Sequence, residues 1–556
     1  MTRKAAPEAP VLIVGGGPVG LTLAIDLAHR GVRSIVVEER IGAMQHPKAT
    51  LLGARSMELY RRWGLDQAIY DAAIPADNPY FIIFTTRLAG QEVHRVQSPS
   101  IRELMTRDPV ATARFAEMQW SPYGKTQIGQ QALEPVLLAH ALSRPEIDLR
   151  RGWRATGFTQ DADGVVGHVQ HVETGETQDI ASLYLADCEG GVGPIRRQLG
   201  IRRNGRGKMR ANVSLFFRSP GFLEAHGRGL ANLYFVFTPD CFGVFTAIDG
   251  KDLWNFQYYF LDASKQTDEV DAEAILFRAM GKPFDFELIN VNHWHHHQSV
   301  ARKWREGRVF LLGDAAHLFA PTGGVGMNTG IGDACDLAWK LQATLEGWGG
   351  PRLLESYERE RKPIAIRNSI ISATNSDKID MVMDETPANI DQPGEAADRE
   401  RAELKRKIQW LSRQFSSAGT HLGYRYVGSD IVVGDGTPEP CDDTARLTPT
   451  TWPGSRAPHA WLADGRTMLD LVGDDFVLLV LSDDEGDDGN GGELAPLTDA
   501  MAAAGAPLRI ERVGDPAVQA LYERRLVLVR PDGHVVWRGD RPPEDAAAVV
   551  RTITGN

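Results

Sequence analysis

Apolar residues along this chain follow two alternating rhythms: short continuous runs, and stretches in which they recur every three or four positions. Val11 to Val14 is a run, Gly15-Gly16-Gly17-Pro18-Val19-Gly20 follows, and Leu21, Ala24, Ile25 and Ala28 then recur at helical spacing up to Gly31. The pattern predicts strand, turn and helix, and Ser34 to Val37 predicts a second strand ending in Glu38. The same order returns late in the chain. RVFLL (308–312) predicts a strand that ends on Gly313-Asp314, and after GGVGMNTG (323–330) the residues Ile331, Ala334, Cys335, Ala338, Leu341 and Leu345 repeat with helical period.

Between these units the aromatic-rich stretch LYFVFTPDCFGVFTAIDGKDLWNFQYYFL (233–261) breaks at Thr238 to Asp240 and at Asp249-Gly250, which predicts a meander of strands. Alternation puts Trp254, Phe256 and Tyr258 on one face and Asn255, Gln257 and Tyr259 on the other, so only one set can line a pocket. Trp254 and Phe256 are the candidates for its wall. Residues 371–445 are more polar, and ADRERAELKRKIQWLSRQF (397–415) reads as an exposed helix in a connector. Further on come a strand, FVLLVL (476–481), an acidic loop (483–493), a helix and LVLVRPDGHVVWRG (526–539).

With 556 residues there is length for several domains, and 42% hydrophobic with 24% charged residues is the balance of a globular protein. The net charge of -12 argues against nucleic acid or an anionic membrane as partner, since both require a basic footprint. No run approaches the ~18 apolar residues of a bilayer span, and MTRKAAPEAP leads into a strand rather than a signal segment, so a cytoplasmic location is expected. Cys188, Cys241, Cys335 and Cys441 form no CxxC pair and read as four buried or neutral thiols. His293, His295, His296 and His297 alternate between strand faces with no acid close by, and no metal site is expected.

The two glycine loops carry the chemistry. Gly15 permits a tight turn, Gly17 lets backbone approach a pyrophosphate, Gly20 lets helix and strand pack, and the helix N-terminus meets the phosphate charge. Glu38 follows near the spacing of an acid that hydrogen-bonds a ribose, which fits FAD and NAD alike. The second loop lacks a phosphate-loop lysine. Its aspartate, Asp314, precedes the glycines, where it would repel phosphate but accept hydrogen bonds from a polyol such as a ribityl chain.

These loops, together with PKATLLGARSMELYRRWGL (47–65), QQALEPVL (130–137), CEGGVGPIRRQLGI (188–201) and the block GDAAH to AWKL (313–341), resemble the class A flavoprotein monooxygenases that hydroxylate phenols and polyketide aromatics. The resemblance implies an α/β fold. A Rossmann-like FAD-binding domain (9–78, 104–200, 296–370) is interleaved with a β-sheet substrate domain (79–103, 201–295), followed by a helical connector (371–445) and a thioredoxin-like α/β domain (446–556) that lacks CxxC. It implies one FAD across both loops, NAD(P)H as co-substrate, oxygen adding at the flavin C4a, and attack on a small aromatic substrate, with a homodimer as candidate assembly. Gly15, Gly17, Pro18, Gly20, Glu38 and Glu39 would hold the ADP half, with Lys48 and Gln130 near the pyrophosphate or ribityl region. Asp314 would bind the ribityl hydroxyls, Pro321 would lie beside the ring, and the backbone at Gly326, Met327 and Asn328 would face its pyrimidine edge. The alternatives are another FAD-dependent oxidoreductase, a dehydrogenase or oxidase, and a catalytically silent FAD-binding protein.

The chain departs from the family pattern in four places. The middle motif, usually DGxxSxVR, keeps its acid as Glu189, its glycine as Gly190 and its arginine as Arg196, but has Gly193 in place of serine. Lys48 stands where arginine is common, and Asp336 where asparagine is frequent, on what is expected to be a solvated or capped position. Thr50 aligns with a position where relatives can carry Asp or His, so the catalytic candidates are Thr50, Tyr258 and Tyr259.

Overall fold

A computed structural model describes residues 6–260, 269–482 and 492–556. Leu261 and nearly all of the acidic loop lie outside the described residues.

The first sheet runs Arg305–Glu306, Val309–Leu311, Thr177–Asp187, Ala9–Val14, Ser34–Glu38, Ile147–Arg151, and its central pairings are parallel. The continuous apolar run of Ala9–Val14 follows from burial on both faces. Val11 and Ile13 pack with Leu23, Leu27, Leu337 and Leu341 beneath the helices Pro18–His29 and Val325–Glu346. Leu12 and Val14 pack with Phe158, Val165 and Val169 of an antiparallel flap on the other side.

The second sheet is mostly antiparallel, in the order His317–Leu318, Glu287–Ala301, Arg203–Arg218, Leu253–Tyr259, Cys241–Ala247, Leu233–Thr238, Tyr80–Thr85, Glu92–Ser98. One face buries Trp254 and Phe256 with Phe217, Phe222 and Phe245 under the helix Ala272–Met280. The other carries Phe235, Val244 and Tyr259 toward two long helices, Pro351–Asp384 and Glu395–Leu411. The first of these runs straight through position 370, so no break in secondary structure separates flavin domain from connector.

The second helix departs from expectation. Leu404, Ile408 and Leu411 are buried in one cluster with Phe84 and Val382, and Ala397 is buried as well, because the charges of the stretch occupy only its outer face. It covers the second sheet rather than merely linking domains.

The C-terminal sheet runs Leu508–Val513, Phe476–Leu481, Leu526–Val529, Val535–Gly539, with its first pair parallel and the others antiparallel. Trp339, Trp348 and Leu353 of the flavin-side helices enter its core beside Phe476 and Leu528, so the two units share one apolar interior. Among the described residues no helix is long and apolar enough to cross a membrane. Of the four free thiols, Cys241 and Cys335 are buried, Cys188 is partly so, and Cys441 is exposed.

Candidate active site

One cavity of about 1030 Å³ opens between the ends of the parallel strands and the second sheet. At its first end Gly15 has a φ of +105°, and a Cβ there would stand 2.4 Å from the Cys188 carbonyl oxygen. A Cβ on Gly20 would meet the Gly15 oxygen at 1.9 Å, which is how closely helix and turn pack. Gly17 is different, with no atom within 4 Å of where its Cβ would be, so its backbone faces open space beside the helix N-terminus. Glu38 accepts hydrogen bonds from the backbone N–H groups of Gly16 (2.6 Å) and Arg40 (2.9 Å), and Arg40 also pairs with Glu134 (3.1 Å), to which Gln130 donates (2.7 Å).

Further along, the lining is made by Pro18, Glu39, Lys48, Glu189, Gly190, Asp314, Pro321, Gly326 and Met327. Burial raises the Asp314 carboxyl, with His317, Arg203 and Lys48 opposing. Two candidates do not line the cavity with their side chains. Arg196 donates to the Ile201 carbonyl (2.7 Å) and closes the middle loop. The Asn328 amide stitches the second glycine loop to the segment 51–56: it donates to the carbonyls of Leu51 (3.0 Å) and Gly324 (2.7 Å) and accepts from Gly53 N–H (2.8 Å) and the Ser56 hydroxyl (2.6 Å). Arg203, which the sequence did not single out, braces the same region by donating to the carbonyls of Gly191 (2.9 Å), Asp314 and Ala315 (3.0 Å).

The middle motif departs from the family pattern at two positions that touch. A Cβ on Gly193 would lie 2.7 Å from a Glu189 carboxyl oxygen and 2.8 Å from the Glu189 Cβ. The longer acid fills the space a serine would need. Burial, then the neighbouring Asp187, pushes the Glu189 carboxyl up to about 8, and burial pushes Asp187 up to about 6.

At the far end the sheet presents Leu233, Phe235, Val244, Thr246, Gln257, Tyr259 and Ser214. Trp254 and Phe256 are therefore corrected. They sit fully buried on the opposite face, since the alternation that brings Gln257 and Tyr259 to the cavity turns them away. Tyr258 faces away as well, packing on Phe260. Thr50 and Tyr259 do line the cavity, but burial raises the Tyr259 hydroxyl well above its ordinary range, so it is no base at neutral pH. A histidine that sequence reasoning missed stands opposite: His46 Nε2 is 2.9 Å from Ser214 Oγ, Ser214 donates to Asn255 Oδ1 (2.8 Å), and His46 Nδ1 contacts Asn290. Burial lowers the His46 pKa, against the Asn290 bond and with help from Lys48. Its only signal in the sequence was adjacency to Pro47-Lys48.

The arrangement fits FAD: open backbone at Gly17 beside a helix N-terminus, an acid at Glu38, a polyol acceptor at Asp314, and a second helix beginning at Val325 to offer its positive end. Residues 8–369 match the FAD binding domain family, and residues 450–556 match the family of aromatic-ring hydroxylase C-terminal domains. The chain belongs to the FAD-dependent aromatic-ring hydroxylases.

This hydroxylase is 34% identical to a putative polyketide hydroxylase of Streptomyces halstedii, over 96% of its own length and 94% of that protein. It is 33% identical to the tetracenomycin A2 monooxygenase-dioxygenase of Streptomyces glaucescens, over 98% and 96%. Its fold matches RebC bound to 7-carboxy-K252c with a TM-score of 0.88 and 36% identity, over 99% of this chain and 100% of that one. It matches aklavinone-11 hydroxylase in complex with FAD and aklavinone with a TM-score of 0.80 and 29% identity, over 100% of both chains. The hydroxylase is thus an FAD-dependent monooxygenase with NAD(P)H as co-substrate.

Behind the flavin helices the hydroxylase buries a charge cluster that corrects the reading of Asp336. Its carboxylate is 1% exposed, with Lys340 at 2.7 Å and Arg530 at 3.0 Å. Lys340 and Arg530 also bind Glu360 at 2.6 and 2.7 Å, and Arg530 binds Asp532 at 2.7 Å. The C-terminal domain approaches from that side, so what reads as a solvated helix position is an interior one.

Proposed function

We propose that the hydroxylase acts on a flat, polycyclic phenol of the polyketide type. The observation that carries this is the shape of the site: a single cavity of about 1030 Å³ continues past the second glycine loop between the apolar side chains Ile82, Leu233, Phe235, Val244, Ile379 and Phe415. A pocket for one ligand occupies roughly 300–1,000 Å³, so there is room for a cofactor and a multi-ring substrate together. The polyketide hydroxylases among its relatives support the same class.

Bound FAD, reduced by NAD(P)H, would activate O2, one atom of which goes to the ring while the other leaves as water. In this reading Gly15 to Gly20, Glu38, Glu39, Lys48 and Gln130 hold the ADP half, Asp314 the ribityl chain, and Pro321 to Asn328 the ring. Glu189, Gly190 and Arg196 shape the loop beside it. The apolar walls keep water from the reacting centre. A substrate hydroxyl presented to Ser214 Oγ can pass its proton to His46 Nε2 once the Ser214 hydroxyl turns from Asn255 to the ring, which is neutral at pH 7 and lies under the largely exposed loop 41–45. Thr50 and Tyr259 then serve as hydrogen-bond partners of the substrate. We place the enzyme in the cytoplasm, where NAD(P)H is supplied.

The test is to compare a hydroxyanthraquinone with phenol as activators of NAD(P)H oxidation by the FAD-loaded enzyme. A product heavier by one oxygen atom from the polycyclic compound, and none from phenol, is the expected outcome; turnover of phenol alone would sink the polycyclic assignment.

A further inference from the structure

The cavity's acids, Glu38, Glu39, Glu134, Glu189 and Asp314, all belong to the cofactor end. At the substrate end, among the described residues, the lining contains a single side chain of Asp, Glu, Lys or Arg type, Lys125. It directly precedes the two-residue strand Thr126–Gln127, whose pairing with Leu51–Leu52 fixes it beside the second glycine loop, where a Cβ on Gly324 would touch Leu51 at 2.7 Å. Lys125 Nζ donates to the carbonyl oxygen of Phe415, and the Phe415 ring packs on Phe84 and Phe235 of the substrate sheet. The ammonium therefore sits at the rim of the apolar slot.

An ammonium has three donors, and this one spends a single donor on a neutral carbonyl. No carboxylate lies within 4.0 Å of it among the described residues. Glu117 acts on it only at longer range and does not line the cavity, while His421, which also feels the ammonium, is a like charge when protonated. Burial accordingly lowers the Lys125 pKa. A buried cation without an anion is costly, and its retention in a cleft marks a binding role.

We propose that Lys125 anchors an anionic oxygen on the edge of the polycyclic substrate, either a ring carboxylate or an ionised hydroxyl. This rests on the polycyclic reading of the cavity and narrows it: the substrate is an acidic aromatic, entering with its anionic edge toward Phe415 and its reacting ring toward Pro321. Ser214 and His46 serve the hydroxyl near the flavin loop, and Lys125 a second oxygen on the same molecule.

The test uses FAD-loaded enzyme and three probes of one ring system: anthraquinone, its carboxylic acid and its monohydroxy derivative, titrated at pH 7 and followed by perturbation of the flavin absorption. Anthraquinone is expected to bind more weakly than at least one of its acidic derivatives by roughly ten- to hundredfold, the value of a charge-assisted hydrogen bond. Which derivative gains tells carboxylate from phenolate, and the visible spectrum of the bound hydroxy compound reports its ionisation. Lys125→Met should bring the three affinities together, and Lys125→Arg should keep most of the preference. Equal binding of all three to the wild-type enzyme overturns the assignment without any variant, as does a preference that survives in Lys125→Met. Failure of all three to bind overturns the polycyclic reading as well, which separates the two claims.

Discussion

A Cβ on Gly193 would stand 2.7 Å from the Glu189 carboxyl, at a backbone φ of -55° that any residue tolerates. The obstacle to serine there is thus the side chain opposite and not the main chain. Gly193→Ser should weaken FAD affinity and lower the melting temperature, at a cost of about 1–3 kcal/mol for overpacking. Glu189→Asp in the same chain should recover part of that loss by removing the carboxyl contact; a double variant as poor as the single one would show that the two positions are independent. At the substrate end, His46→Gln keeps a hydrogen-bonding group but removes the proton acceptor. The sign follows from burial: the His46 pKa lies below the ordinary 6.5, so the ring is neutral at pH 7 and loses acceptor capacity only as pH falls through that lowered value. Turnover of a hydroxyanthraquinone should fall on the acid side in the wild type. In His46→Gln it should be lower by roughly a hundredfold and lack that acid limb; an unchanged pH profile would remove His46 from the proton path.

At the scale of elements, the second glycine loop is held by a side chain as well as by its own turn. Asn328 makes four hydrogen bonds: three tie the start of the helix Val325–Glu346 to Gly53, Ser56 and Leu51, and the fourth holds Gly324 of the loop itself. Asn328→Ala should cost about 2–4 kcal/mol, since buried partners are left unmade. FAD should dissociate faster from the variant even below its melting temperature, and unaltered FAD release would mean that the loop is ordered by other contacts. The strand Leu253–Tyr259 shows the limit of periodicity. Its two faces were legible from alternation, Trp254 and Phe256 on one and Asn255, Gln257 and Tyr259 on the other, but the pattern within the strand did not say which one faces the cavity. Burial under the helix Ala272–Met280 decided it.

Across the whole molecule, the C-terminal domain is fastened by charge as well as by apolar packing. Besides the Arg530 cluster, Arg456 pairs with Glu58 (2.8 Å) and Arg55 with the same carboxylate (3.0 Å), all nearly inaccessible. Burial works against its charge, yet Arg530 and Lys340 hold Glu360 down to about 2. Arg530→Met would leave Asp336 and Glu360 to share Lys340 and would take the guanidinium from buried Asp532, and should cost about 3–5 kcal/mol. Calorimetry is expected to show the loss in the transition of the flavin domain too, because the two units share one core; a shift confined to a separate C-terminal transition would contradict that.

The sequence by itself determined the strand-turn-helix units and the two glycine loops that follow their strands, because those depend on residues within a few positions of one another. Gly15, Gly17, Glu38 and Asp314 are of this kind. The side chains that complete the site were decided only by tertiary structure. His46 meets Ser214 across 168 positions, and Lys125 meets Phe415 across 290. Asp336 was placed in the interior by a domain that begins more than a hundred residues later. Hydrophobic period and turn chemistry are local quantities, whereas burial, pairing of charges and the direction a cavity faces are set by what the rest of the chain packs against.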